Sequence, residues 1–231
     1  MHWEKVLLTD SGFYDPFNLH QPMNAIINKF AQMLGKPFCE ARVLFIPTAA
    51  CDGEARKIAA ILRQELLWLG IQSGNITVYE IDSSMTIEKA SEFDAMFFTG
   101  GWAEHLLKRI KETGFDEIIK SFVLLNKVYV GVSAGSVVAT PNIMGTFDCL
   151  DDTESEALGL INAYIDVHCN LKPDLYIKQL NLPHIMLHSH QALAVSNIGY
   201  ELIEEPDAYH AVDWSKPPQM GIDVWNEFWL T

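Results

Sequence analysis

The chain has 231 residues, 49% of them hydrophobic, enough to bury a sizeable core in one domain spanning 1–231. Its formal net charge of −14 argues against nucleic acid or an anionic membrane surface as a partner, and against long-range attraction of acidic substrates. Cys39, Cys51, Cys149 and Cys169 show no C-x-x-C spacing, no apolar run reaches membrane-spanning length, and residues 1–10 carry no signal-peptide pattern, so a soluble cytoplasmic protein is expected.

Residues 5–9 read as a first strand. Residues 10–21, polar and aromatic with a proline, read as a loop at its C-terminal end, the edge where α/β folds place their sites. Over 23–34, Ile26, Ile27, Phe30, Met33 and Leu34 recur at helical intervals, and Gly35 and Pro37 end the helix. A second strand is expected over 42–47. A long helix over 54–69 puts Ile58, Ile61, Leu62, Leu66 and Leu69 on one face, with Gly70 as its stop. A strand over 75–81, a short helix over 86–92 and a strand over 95–99 follow, the last running into Gly100-Gly101. Helices over 103–111 and 115–125 lead to a strand over 128–132. Strand alternating with helix implies a parallel sheet covered on both faces, with right-handed crossovers.

That last strand, rich in β-branched residues, opens Gly131-Val132-Ser133-Ala134-Gly135, which fits the G-x-S-x-G nucleophile elbow. The serine of such an elbow sits on a strained turn, and small residues around it let strand and helix approach closely. Backbone N–H groups at the helix start then face the Ser133 hydroxyl, where they can stabilise an oxyanion. Beyond the elbow the pattern changes. Residues 140–157 read as a polar loop, 160–167 as a strand and 172–182 as a helix. Short strands are expected over 185–188, 192–196, 200–203 and 209–213, with a hairpin turn at 197–199 and an aromatic tail over 219–230.

A serine nucleophile needs a base and a group to orient it. Of eight histidines, His168 is best placed, at the end of an apolar strand. Gly100-Gly101 is a second glycine pair at a strand end, so the Gly101 and Ala134 N–H groups are candidate oxyanion donors. His184, His188 and His190, two of them set to share a strand face, lack a carboxylate to complete a zinc set. The acids Asp148, Asp151, Asp152, Glu154 and Glu156 lack the order of a calcium loop. Neither metal nor cofactor is expected. The order Ser133, Asp148, His168 matches an α/β-hydrolase esterase, but fifteen residues between serine and acid leave no room for a strand–helix pair.

Four local features go further: Phe97-Phe98-Thr99-Gly100-Gly101 before a helix with Leu106-Leu107, the elbow Gly131 to Ser136, Asp148, and Leu158-Gly159-Leu160 followed by His168 and Asn170. Together, over roughly residues 40–200, they resemble the serine peptidase family of aspartyl dipeptidase (peptidase E) and cyanophycinase. The resemblance implies a class I glutamine amidotransferase-like (flavodoxin-like) fold, a three-layer α/β sandwich with a mostly parallel sheet and short late strands. It also implies that Ser133 attacks a carbonyl, that His168 carries its proton to the leaving amine, that Gly101 and Ala134 amides hold the oxyanion, and that Trp102 and Asn170 flank the substrate. Family members cleave peptides after an N-terminal aspartyl residue, or aspartyl-arginine polymer, without metal.

The sequence departs from that pattern in three places. Trp102-Ala103 replace Asn-Thr after the glycine pair, and Val167 replaces a proline. The region of the family's late triad acid reads His188-Ser189-His190-Gln191-Ala192-Leu193, with Ser189 nearest the acid's place. Asp148 or Asp166 is then the substitute acid, or the pair Ser133–His168 works as a dyad. The expected function is hydrolysis of a small peptide or amide. The alternative is a catalytically impaired amidotransferase-like protein that binds a small ligand in the same cleft. The substrate is the one partner expected, with no nucleic acid and no membrane, and a homodimer is left open.

Overall fold

The computed structural model describes residues 5–143, 155–168, 182–196 and 199–205. With strands numbered along the chain, its main sheet has seven in the order β11 (Gly199–Glu204), β10 (Gln191–Ser196), β1 (Val6–Thr9), β7 (Val128–Val132), β6 (Ala95–Phe98), β4 (Val43–Ile46) and β5 (Ile76–Val78). The run from β1 to β5 is parallel, while β10 and β11 add an antiparallel hairpin beside β1.

Period-2 alternation assigns the two faces. Val6, Leu8, Leu44, Ile46, Met96, Phe98 and Tyr129 enter one core; Leu7, Val43, Phe45, Phe97, Val130 and Val132 enter the other. Helices α1 (Asn24–Leu34) and α2 (Gly53–Trp68) cover the second face. The first is covered by α4 (Ala103–Thr113), α5 (Phe115–Leu124) and the short α3 (Ile87–Ala90) and α6 (Ala134–Val137). This is the parallel sheet covered on both faces that the alternation implies, and the mostly parallel, three-layer flavodoxin-like sandwich that the resemblance implies. Because β1, β4, β6 and β7 are buried on both faces, they read as largely apolar runs, while the edge strand β5 exposes Thr77 and Val78.

Three details differ from the sequence reading. The stretch 10–21 is not all loop: β2 (Tyr14–Asp15) and β3 (Asn18–Pro22) form an antiparallel ribbon. The Asp15 carboxylate accepts the Phe17 N–H at 2.8 Å, a side-chain turn that hides the ribbon inside a polar-looking segment. In α2 the buried face is Ala59, Leu62, Glu65 and Leu66, and Ile58 is 51% exposed. After the elbow, β8 (Tyr164–Asp166) and β9 (His184–Met186) pair in parallel as a separate small sheet. His188 and His190 follow β9 in a turn and share no strand face. Most of the 140–157 loop, the helix expected over 172–182, the strand over 209–213 and the tail over 219–230 lie outside the described residues.

The glycines of the elbow are there for contact. A Cβ on Gly131 would lie 2.5 Å from the Gly135 carbonyl oxygen, and one on Gly135 would lie 2.7 Å from the Phe98 carbonyl oxygen. Backbone cannot step aside as a side-chain tip can. Gly135→Ala should therefore cost about 1–3 kcal/mol by overpacking. A thermal melt should show a fall of roughly 2–4 °C for each kcal/mol lost. An unchanged melt would mean that this strand–helix approach is loose.

Candidate active site

Ser133 follows β7 with φ 49 and ψ −108, a positive φ outside the usual left-handed well. Such a turn persists only when its surroundings over-determine it. Here the Ser133 N–H donates to the Thr9 carbonyl at 3.0 Å. The Ser136 hydroxyl lies 2.8 Å from both the Thr9 and the Gly131 carbonyl oxygens. Beneath, the buried Tyr129 hydroxyl donates to the Gly135 carbonyl at 2.7 Å, and its ring stacks on Phe98. The strain at Ser133 is thus held by bonds to β1 as much as by its own strand.

His168 follows β8, also with a positive φ of 60. Its Nε2 lies 2.9 Å from Ser133 Oγ. Its Nδ1 lies 3.1 Å from Asp10 Oδ2, and its backbone N–H donates to Asp10 Oδ1. One carboxylate therefore holds both the ring and the main chain of the histidine. With that carboxylate at Nδ1, the ring proton belongs there, and the Nε2 lone pair faces the serine hydroxyl.

Asp10 sits where β1 ends, beside β7 in register Thr9↔Val132. It is fully buried. Burial alone would raise its pKa, but the hydrogen bond and charge of His168, the Ser11 hydroxyl and the His168 N–H outweigh it and hold the carboxyl below 3.8. The group thus stabilises the fold above pH 3.8, and that contribution is lost as pH falls through the depressed value. The chain leaving β1 crosses to α1 on one face, and the chain leaving β7 enters α6 on the other. Such a divergence opens a crevice at the carboxyl ends of adjacent strands.

The crevice is a cavity of about 560 Å³ lined in part by Asp10, Gly100, Gly101, Ser133, Ala134, His168 and Ser189. The structure thus brings Ser133, His168, Gly101 and Ala134 to one place. Asp148 and Asn170 lie outside the described residues. Asp166, the other acid considered, lines the cavity, but its Oδ2 lies 2.7 Å from His184 Nε2. Trp102 is 57% exposed, and its indole N–H donates to Asp52 Oδ2 at 2.8 Å. It latches the β6–α4 turn to the start of α2, and its side chain is not part of the cavity wall. Asp10 is the residue that sequence reasoning missed. Its one signal was position, an acid directly after the first strand of a parallel sheet.

The model of peptidase family S51 matches residues 7–202. The chain belongs to that family. Membership makes it a serine-type peptidase. It is 26% identical over 168 residues to an uncharacterized peptidase of Pasteurella multocida, covering 67% of this chain and 81% of the relative. To an uncharacterized peptidase of Listeria monocytogenes it is 29% identical over 143 residues, 59% of this chain and 70% of the relative. To peptidase E of Streptomyces coelicolor it is 30% identical over 139 residues, 58% of this chain and 53% of that protein. The fold is similar to the crystal structure of a candidate peptidase E from L. monocytogenes, with TM-score 0.65 at 22% identity, covering 87% of this chain and 98% of the other. Among the described residues no helix is long and apolar enough to cross a membrane.

Glu65 anchors the loop that follows Asp10. From the buried face of α2 its Oε2 accepts the Phe13 N–H at 2.8 Å. Phe13 in turn stacks on Phe30, with ring centroids 4.9 Å apart. Burial pushes the Glu65 carboxyl up to about 8, against the lowering effect of the Phe13 and Tyr14 N–H groups. Between 4.5 and about 8 the folded chain keeps a proton that the unfolded chain has released. Stability therefore falls as pH rises across that window, by up to about 1.4 kcal/mol per pH unit. Glu65→Gln removes the titration. Denaturant midpoints taken at about pH 5 and about pH 8 should lie closer together in the variant than in the wild type.

Proposed function

We propose that the protein hydrolyses an amide bond of a small peptide or related amide, with Ser133 as nucleophile, His168 as general base and then acid, and Asp10 as the orienting carboxylate. The observation that carries this reading is the unbroken relay from Ser133 Oγ to His168 Nε2 at 2.9 Å and from His168 Nδ1 to Asp10 Oδ2 at 3.1 Å. These are the distances at which a base can take a hydroxyl proton.

As Oγ bonds to the carbonyl carbon, its proton passes to Nε2, and the Asp10 carboxylate stabilises the imidazolium without itself taking the proton. The carbonyl oxygen becomes an oxyanion between the Ala134 N–H, at the unpaired start of α6, and the Gly101 N–H. Collapse expels the amine, which leaves with the proton from Nε2. Water then attacks the acyl-serine, gives its proton to Nε2, and the acid is released as the proton returns to Ser133. Each oxyanion donor is worth about 10²–10³ in turnover in comparable sites.

The alternative of a binding protein without turnover rested on the acid missing near His190 and on Trp102 after the glycine pair. Asp10 supplies a carboxylate from the opposite end of the sequence, which favours the hydrolase.

A fluorophosphonate should add one label per chain, read by intact mass, and Ser133→Ala should abolish it. A wild type that stays unlabelled would overturn the nucleophile assignment. Asp10→Asn should lower turnover by about 10³–10⁴ through the wrong histidine tautomer. Asp148→Asn should keep wild-type turnover. The reverse pattern would return the acid's role to Asp148.

A further inference from the structure

The cavity beside Ser133 has two kinds of wall. One is the reactive edge already described. The other is apolar: Phe17 and Leu19 from the β2–β3 ribbon, and Ile58, Ile61 and Leu62 from α2. The exposure of Ile58 has no packing purpose in the fold, since α2 buries Ala59, Leu62 and Leu66 against the sheet without it. An isoleucine kept half in water at the mouth of a cavity gains burial only when something apolar fills that cavity.

The ionisable groups that line the cavity are Asp10, Glu65, Asp166 and His168; among the described residues no lysine or arginine lines it. Asp10 is bound by His168, and Asp166 is paired with His184. Glu65 is turned to the Phe13 N–H, and burial keeps its carboxyl protonated near neutral pH. Among the described residues, a carboxylate side chain entering here would meet no lysine or arginine and would approach three carboxyl groups. Such an unpaired buried charge is strongly disfavoured. A volume of about 560 Å³ suits a small ligand of one or two residues.

We infer that the cleft selects an uncharged, apolar residue of leucine or phenylalanine size as the one supplying the scissile carbonyl, and disfavours an aspartyl residue there. The inference rests on the proposed Ser133 chemistry and adds its substrate class. Phe17, Leu19, Ile58, Ile61 and Leu62 are the specificity-determining contacts. The preference departs from the aspartyl substrates that the family resemblance implied.

The test uses diphenyl α-aminoalkylphosphonates bearing leucine-, phenylalanine- or aspartate-type side chains, alongside a side-chain-free fluorophosphonate. With each diphenyl ester, Ser133 Oγ forms a bond to phosphorus and one phenoxide leaves, taking up the proton that His168 removed from the serine. Rates of adduct formation are read by intact mass. The leucine or phenylalanine reagent should react at least about tenfold faster than the aspartate reagent, the scale at which an apolar pocket discriminates. Ile58→Arg, at an exposed helix position that tolerates a long polar chain, should narrow that ratio at least about fivefold by adding a cation at the mouth. An aspartate reagent that reacts as fast or faster would overturn the inference and leave the nucleophile in place. So would labelling by the fluorophosphonate alone. Failure of every reagent would remove the nucleophile assignment, and the substrate class with it.

Discussion

One carboxylate joins the two halves of the site. Asp10 and His168 are 158 positions apart, and the acid binds the ring and the main chain of the histidine together. A single hydrogen bond would orient the ring about one axis. Two bonds from one rigid group also hold the backbone at the end of β8, where a φ of 60 would otherwise relax. The buried acid in turn depends on the histidine for its charge: without that partner, burial would favour the protonated form. Each group therefore sets the state in which the other is useful.

The same dependence runs through the first strand. Thr9 accepts the Ser133 N–H and receives the Ser136 hydroxyl, its own hydroxyl accepts the Gly12 N–H at 3.1 Å, and the next residue is the acid. Glu65 and the stacked Phe13 then pin the following loop to α2 and the core. Strain at Ser133 and His168 is thus supported by a strand in the middle of the sheet, which is the least mobile place to support it. Loops position the reactive atoms only because the strand ends beneath them are packed on both faces.

The cleft combines this rigid edge with a softer wall. The β2–β3 ribbon and the overhanging isoleucines of α2 are rim elements, free to differ without disturbing the sheet. Trp102 shows how such variation is absorbed. A large aromatic after the glycine pair is accommodated by turning outward to Asp52, whose carboxyl is held below its ordinary range by the Ala55 N–H and then by the Trp102 indole. Gly101 is pressed so closely on the Ala49 carbonyl that no side chain fits at its position, so the change falls on its neighbour.

Local pattern was enough for much of this protein. The apolar runs of β1, β4, β6 and β7 and the 3.6-residue spacing in α1, α4 and α5 are read directly, because burial on both faces or on one stripe leaves a periodic trace in the chain. The elbow was legible for the same reason: its strand, strained serine and small neighbours are contiguous, and steric contact between Gly131 and Gly135 is a local constraint. His168 was found by its place at a strand end. The partner of His168 was not legible. A carboxylate selected by space leaves no spacing signal, and the parallel pairing of β1 with β7 carries Asp10 to the histidine from the far end of the sequence. The ribbon at 14–22, the rotation of the α2 face and the apolar wall were likewise decided by packing, since each depends on which neighbours fill the space rather than on the order of residues along the chain.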